Sequence, residues 1–188
     1  MHYCVHDWTL AALNKDVDIE HYWYAFDCVD ASAVGVADSL GHISFSRLAG
    51  HAARLVKLRF LQNNIISGFA PDRLNKASRI ARLLQDQIQL DEAEQMYMWA
   101  LAGRETALGP DHPLTLHTVN SLGILYDKQS KLVEAEQMYM RALAGREKAL
   151  GPDHPSTLHT VNSLGILYRE QGKLEKAERM YMRAGDEK

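Results

Sequence analysis

The sequence is poor in the features that mark cross-linked, membrane-bound or nucleotide-binding chains. It has only two cysteines, Cys4 and Cys28, in 188 residues, too few for the disulfide framework of a small exported domain. A Cys4–Cys28 disulfide stays open on sequence alone, but nothing points to an oxidising compartment, so a reducing, cytoplasmic setting is the expectation. No apolar run approaches the ~20 residues that span a bilayer. The opening stretch MHYCVHDWTL lacks the basic start and apolar run of a secretory signal. The formal net charge is −3, so there is no strong field to draw nucleic acid or an acidic membrane. No glycine-rich GxxxxGK[ST] loop occurs, and no basic stripe with interleaved aromatics. Neither a cofactor, a nucleic acid nor a membrane is therefore expected as a partner.

What the chain does have is an internal repeat, the strongest fold signal a sequence can carry. GPDHP occurs at 109–113 and again at 151–155, a period of 151 − 109 = 42. LDEAEQMYM, LVEAEQMYM and LEKAERMYM begin at 90, 132 and 174 with the same period. Between 93–126 and 135–168 only three of 34 positions differ: Trp99/Arg141, Thr106/Lys148 and Leu114/Ser156. Such near-identity indicates a recent duplication.

Each unit reads as two helices. In the second, Pro113 suits the first helical position, with Asp111 or His112 at the cap. Leu116, Val119, Leu122, Gly123 and Tyr126 follow at spacings of three and four and form one helical face. Ser130 and Lys131 break the pattern. Leu132, Ala135, Met138, Tyr139, Ala142, Leu143 and Leu150 then mark a second amphipathic helix, which Gly151-Pro152 stops. Gly123 and Ala135 remove bulk where the helices approach, and Tyr126 and Tyr139 fill the space beside them. The third unit repeats this with Gly165, Tyr168, Ala177 and Tyr181. The first is degenerate: Ala77, Ile80, Ala81 and Leu84 replace the first-helix pattern, while Ala93, Tyr97 and Ala100 keep the second.

These motifs carry a family resemblance. Leu122-Gly123, Tyr126, Ala135-Glu136, Tyr139, Arg141-Ala142-Leu143 and Gly151–Pro155 resemble the tetratricopeptide repeats of kinesin light chain and its relatives. In the third unit Leu164-Gly165, Tyr168, Gly172-Lys173, Ala177-Glu178, Tyr181 and Arg183-Ala184 match the same pattern. The resemblance covers about residues 73–184. It implies an all-α solenoid of antiparallel helix pairs, with units at about 73–108, 113–150 and 155–184 of an array spanning 71–188, preceded by an irregular helical segment over 1–70. It also implies a protein–protein interaction module rather than an enzyme.

Residues 1–70 do not repeat. Asp18–Val34 and Ser46–Leu61 read as helices, Gly35–Gly41 as a break and Gly68–Pro71 as a linker. The Met1–Trp8 stretch is similar to the Met-His…Val-His-Asp-Trp stretch that closes the switch region of fungal NLR-like (STAND, NB-ARC) proteins. Ser46–Ala52 resembles a helix of the connector that follows it in those chains. The resemblance implies a ligand-sensing C-terminal part of such a receptor. His2 would match a nucleotide-holding histidine, but without a phosphate-binding loop it makes no nucleotide site.

Chemical readings of individual residues are weaker. His2 and His6 lie four apart with Asp7 adjacent, but a third ligand at fixed spacing and the full HExxH motif are absent. Cys4, His6 and Asp7 supply the residue types of a cysteine-nucleophile hydrolase, but neighbours in sequence rarely converge on one substrate atom. His112 and His154 read as cap or turn residues. The Met-Tyr-Met stripes at 96–98, 138–140 and 180–182 read as core, and the EAE and REK charges as solvated outer faces.

Stacked helix pairs curve so that the first helix of each lines a concave groove. With Leu122, Gly123 and Tyr126 turned inward, the groove positions are His117, Asn120, Ile124, Asp127 and Lys128, then His159, Asn162, Ile166, Arg169 and Glu170. Asn120 and Asn162 each offer a donor and an acceptor, which suits the backbone of an extended peptide. The kinesin-light-chain resemblance implies that asparagines at these positions contact cargo. Asp127 becomes Arg169 in the next unit, so the two units are not equivalent sites. The expected ligand is a protein or peptide segment. The last helix reads MYMRA-Gly185 where its counterparts continue as LAGREKAL, so the apolar face of Leu164, Leu167 and Tyr181 is expected to be partly exposed and open to self-association. A structural, oligomerising role, or a non-functional fragment of a larger receptor, is the alternative.

Overall fold

The computed structural model describes residues 71–185 together with Gly50, Ala52 and Ala53, the last three helical. Readings that fall on residues 1–49, 51 and 54–70, including the Cys4/His6/Asp7 cluster, the His2/His6 pair, both cysteines and most of the connector-like stretches, lie outside the described residues, as do residues 186–188. Within residues 71–185 six helices follow one another: α1 Pro71–Asp86, α2 Leu90–Leu108, α3 Pro113–Lys128, α4 Leu132–Leu150, α5 Pro155–Glu170 and α6 Leu174–Gly185. There are no strands among the described residues. The architecture is a helical-repeat solenoid. The chain divides into two compact units, Met1–Ala100 and Leu101–Lys188, with the boundary inside α2.

In the first unit, α1 buries Leu74, Ala77, Ile80, Ala81, Leu83 and Leu84. The leading part of α2 buries Ala93, Met96, Tyr97 and Ala100. Both sets recur at spacings of three and four, so one stripe of each helix is withdrawn from water.

In the second unit α3 packs on α4, α4 on α5, α5 on α6, and α3 touches α5. Helix starts follow from local chemistry. Proline occupies the first turn of α3 and α5, where a backbone N–H would go unused. His112 and His154, rather than an aspartate, are the N-caps: each Nδ1 accepts the N–H two residues on, from Leu114 at 3.2 Å and Ser156 at 3.1 Å. Thr115 Oγ1 and Thr157 Oγ1 each donate to the carbonyl of the preceding turn glycine, Gly109 and Gly151, at 2.9 Å. The GPDHP turn is thereby tied to the helix it introduces.

The turns inside each pair share a left-handed residue: Ile88, Ser130 and Gly172, with φ of 61°, 59° and 73°. The N–H that follows reaches back five residues, Gln89 to Leu84 O, Lys131 to Tyr126 O and Lys173 to Tyr168 O, closing a Schellman-type cap.

The core of the second unit is Ala135, Tyr139 and Leu143 from α4, Val161, Leu164, Leu167 and Tyr168 from α5, and Ala177 from α6. A Cβ on Gly123 would lie 2.7 Å from the ring of Tyr139, a side chain 2% exposed. Only glycine lets α3 approach α4 so closely, as the repeat pattern indicates. The Met-Tyr-Met reading needs correction: Met96 and Tyr97 are buried, but the last methionine of each stripe, Met98, Met140 and Met182, is 49%, 49% and 57% exposed. A stripe of three consecutive residues turns through most of a helical circumference, so its third member leaves the core face.

Candidate functional site

The junction between successive helix pairs is built on arginines that the sequence suggests are solvated. Arg104 and Arg146 are 3% and 5% exposed. The Arg146 guanidinium donates through Nη1 to Ser156 O at 2.8 Å, Thr160 Oγ1 at 2.5 Å and Asn120 Oδ1 at 3.3 Å. Arg104 donates in the same manner to Leu114 O at 3.4 Å and to Thr118 Oγ1. Burial lowers the proton affinity of both guanidiniums, and the ring of oxygen acceptors compensates the desolvated charge. The REK reading is therefore corrected at its arginine: the stem and head are drawn inward because the start of the next first helix supplies acceptors.

Asn120 belongs to this network. It is 3% exposed, and its Oδ1 also accepts from Thr160 Oγ1 at 3.1 Å. The sequence places it on an open groove; the structure places it between α3, α4 and α5, with its acceptor already used. Asn162, at the same position one unit later, is exposed. The two asparagines are thus not equivalent surface groups.

The remaining groove positions divide. His117 and Lys128 on α3, and His159, Arg169 and Glu170 on α5, are exposed, while Ile124, Asp127 and Ile166 are half-buried. The helices bring together two residues that the repeat register assigns to different positions: the Asp127 carboxyl lies close enough to Glu170 to feel its charge. Burial, and then Glu170, push the Asp127 carboxyl up to about 6, because two carboxylates in contact cannot both ionise freely. Asp127 Oδ1 is buried without a hydrogen-bond partner. Beneath them the buried Tyr139 phenol is also pushed upward, by desolvation first and by Asp127 and Glu170 after it.

Ion pairs also cross the same junctions. Arg141 pairs with Glu105, and Arg183, one unit on, with Glu147. Lys173 Nζ donates to Glu136 Oε2 at 3.2 Å and the Tyr168 hydroxyl donates to Glu136 Oε1 at 3.1 Å. Burial raises the Glu136 carboxyl, but the Lys173 and Tyr168 hydrogen bonds outweigh it, and the net shift is downward. Lys148 reaches Asp111 at 2.5 Å on a fully exposed edge, where such a pair adds little stability. Among the described residues no group of three or more His, Cys, Asp or Glu is placed to hold a metal ion. Nor is any helix there long and apolar enough to cross a membrane.

Comparison with known proteins agrees with this geometry. The tetratricopeptide repeat profile matches residues 72–148 and 128–184, together more than half of the chain. No curated protein matches. Among solved structures, BtubC (BKLC) from P. vanneervenii superposes with a TM-score of 0.58 at 20% identity, over 90% of this chain and 73% of that one. A Podosopora anserina protein, described as a putative kinesin light chain of nearly identical TPR-like repeats, superposes with a TM-score of 0.59 at 18% identity, over 97% of this chain and 90% of that one. A singly substituted form of that protein gives the same TM-score at 20% identity. At such identities the likeness is one of fold.

Proposed function

The chain belongs to the tetratricopeptide repeat family, and on that premise we propose that it binds an extended protein or peptide segment along the first-helix face of α3 and α5. The face is offered by His117, Ile124, Asp127 and Lys128 of α3 and by His159, Asn162, Ile166, Arg169 and Glu170 of α5. The observation that carries this reading is the Asp127–Glu170 couple, held at an inter-repeat junction with Asp127 pushed up to about 6 by burial and its acidic neighbour. Perturbed groups of this kind concentrate at functional sites. A lysine or arginine of the ligand seated there would relieve the repulsion and accept the couple's full negative charge. The ligand is therefore a segment with a basic side chain, its backbone read by Asn162 and the exposed histidines.

The similarity of residues 1–8 and 46–52 to the NLR-like connector extends the proposal: in such a receptor this segment would act as the ligand sensor. A positional peptide array probed with the purified chain tests the binding reading. Wild type is expected to select peptides with a fixed lysine or arginine, and Asp127→Asn/Glu170→Gln to lose that selection while Asn162→Ala weakens capture generally. Indifference of the array to all three substitutions would overturn it.

A further inference from the structure

Protons and acceptors balance in the polar network that joins α3, α4 and α5. Arg146 Nη1 carries two protons and the Thr160 hydroxyl one. The acceptors are Ser156 O, Thr160 Oγ1 and Asn120 Oδ1. A guanidinium only donates, so the asparagine must turn its oxygen towards Arg146. The shorter Arg146 bonds run to Thr160 Oγ1 at 2.5 Å and Ser156 O at 2.8 Å, and the one to Asn120 Oδ1 is longer, at 3.3 Å. The Thr160 proton then has two acceptors within reach: Asn120 Oδ1 at 3.1 Å across on α3, and Ser156 O at 3.2 Å in its own helix. With Ser156 O taken by a charged donor, the bond to Asn120 uses every proton once.

The equivalent threonine one unit earlier shows the alternative. Thr118 receives Arg104 as Thr160 receives Arg146. There the arginine lies 3.4 Å from the carbonyl, Leu114 O, and the threonine 3.0 Å from it. The asparagine position of that unit, 120 − 42 = 78, is a serine whose hydroxyl donates to Leu74 O of its own helix at 3.1 Å. The order of the two distances inverts at the junction that has the asparagine: the arginine takes the carbonyl and the threonine moves off it.

Packing between α3 and α5 passes mainly through α4, and the two helices touch directly over a short stretch. The Thr160–Asn120 bond is a polar link across that stretch. We propose that Arg146 sets the spacing of α3 and α5: by occupying Ser156 O it turns the Thr160 hydroxyl from its own helix to Asn120 and ties the two helices together. On the reading that these helices carry the ligand, Arg146 and Thr160 are positioning residues for it. Arg146 is 5% exposed and Thr160 fully buried, so neither offers a ligand a surface. They act by fixing the separation of His117 and Asp127 on one helix from His159 and Asn162 on the other. A segment that bridges both helices then meets a face ordered in advance, which lowers the cost of binding.

The test uses the full chain with Cys4→Ser and Cys28→Ser, and nitroxides at His117→Cys and His159→Cys, one on each helix. Electron paramagnetic resonance on folded samples reads the α3–α5 distance without any ligand. A single narrow distance is expected for this parent. Arg146→Met keeps the apolar stem but donates nothing, so Thr160 returns to Ser156 O and a second, longer distance is expected. Arg146→Lys, whose ammonium still serves Ser156 O, is expected to restore the single distance. Thr160→Val deletes the hydroxyl from a side chain of the same shape and is expected to add the longer distance too; it decides the matter if Arg146→Met fails to fold. An unchanged distance in whichever of the two folds overturns the proposal. A second arm, without nitroxides, measures capture of the lysine- and arginine-fixed peptides of the positional array. Arg146→Met, or Thr160→Val in its place, is expected to weaken capture about tenfold, while the preference for a basic residue, set by Asp127 and Glu170, remains. A longer distance with undiminished capture overturns the positioning role. If wild type captures no peptide the groove reading fails, and the distances alone still decide whether Arg146 sets the spacing, so the two fail separately.

Discussion

Asn120 and Asn162 occupy one repeat position and differ only in what lies next to them. Asn120 accepts from Thr160 and the buried Arg146 guanidinium, so Asn120→Ala strips an acceptor from a buried charged network and leaves Ser156 O to serve both donors. The expected cost is about 2 kcal/mol in urea unfolding, whereas Asn162→Ala, at an exposed site, is expected to stay within about 0.5 kcal/mol. A double alanine variant would therefore confound folding with binding, and Asn162→Ala alone is the usable probe of the groove. Asp127 makes a second residue-scale prediction. A carboxyl that holds its proton more tightly when folded contributes nothing against folding below its unfolded value of 3.8, and costs stability as pH rises through its native value of about 6. Screening by solvent reduces that cost to about 1 kcal/mol. Asp127→Asn is expected to remove it: the variant and wild type should melt alike near pH 4, and the variant should be the more stable at pH 7. Equal melting temperatures across that range would show that neither burial nor Glu170 raises the Asp127 carboxyl.

At the scale of elements, the turns within helix pairs share one backbone geometry but not one residue. Gly172 meets the left-handed requirement without cost, while Ser130 and above all the β-branched Ile88 do not. Ile88 is 82% exposed, so its side chain returns little by packing. Ile88→Gly and Ser130→Gly are each expected to stabilise by up to about 1 kcal/mol, the strain relief being partly offset by the greater freedom of glycine in the unfolded chain. Gly172→Ala should destabilise by a similar amount, about 1 kcal/mol. Thermal melts of the three variants check the set together. The helices were legible because proline, the GPDHP turn and the three–four spacing act within a few residues of one another. The glycine of α3 was legible too, since its repeat partner at Gly165 stands over Tyr181 just as Gly123 stands over Tyr139. The junction between pairs was not. Charge in a sequence signals solvent, and the acceptors that bury Arg146 lie as far off as Asn120 and Thr160.

Across the molecule, helices differ in how many neighbours cover them. In the second unit α4 packs on α3 and α5, whereas α6 packs on α5. Local opening is cheapest where fewest contacts must break, so the amides of α6 are expected to exchange at least about tenfold faster than those of α4 in native-state hydrogen exchange. Uniform protection of both helices would indicate that the unit opens only as a whole. The repeat, its period, the helix starts and stops and most of the buried stripe follow from amino-acid order alone, because interactions among near neighbours along the chain set them. Packing of one pair on the next was needed to make Arg104 and Arg146 core residues, to place Asn120 inside while Asn162 stays outside, and to bring Asp127 to Glu170. Each of those outcomes depends on how one repeat is placed on its neighbour, and near-identical repeats carry the same letters whether a neighbour covers them or not.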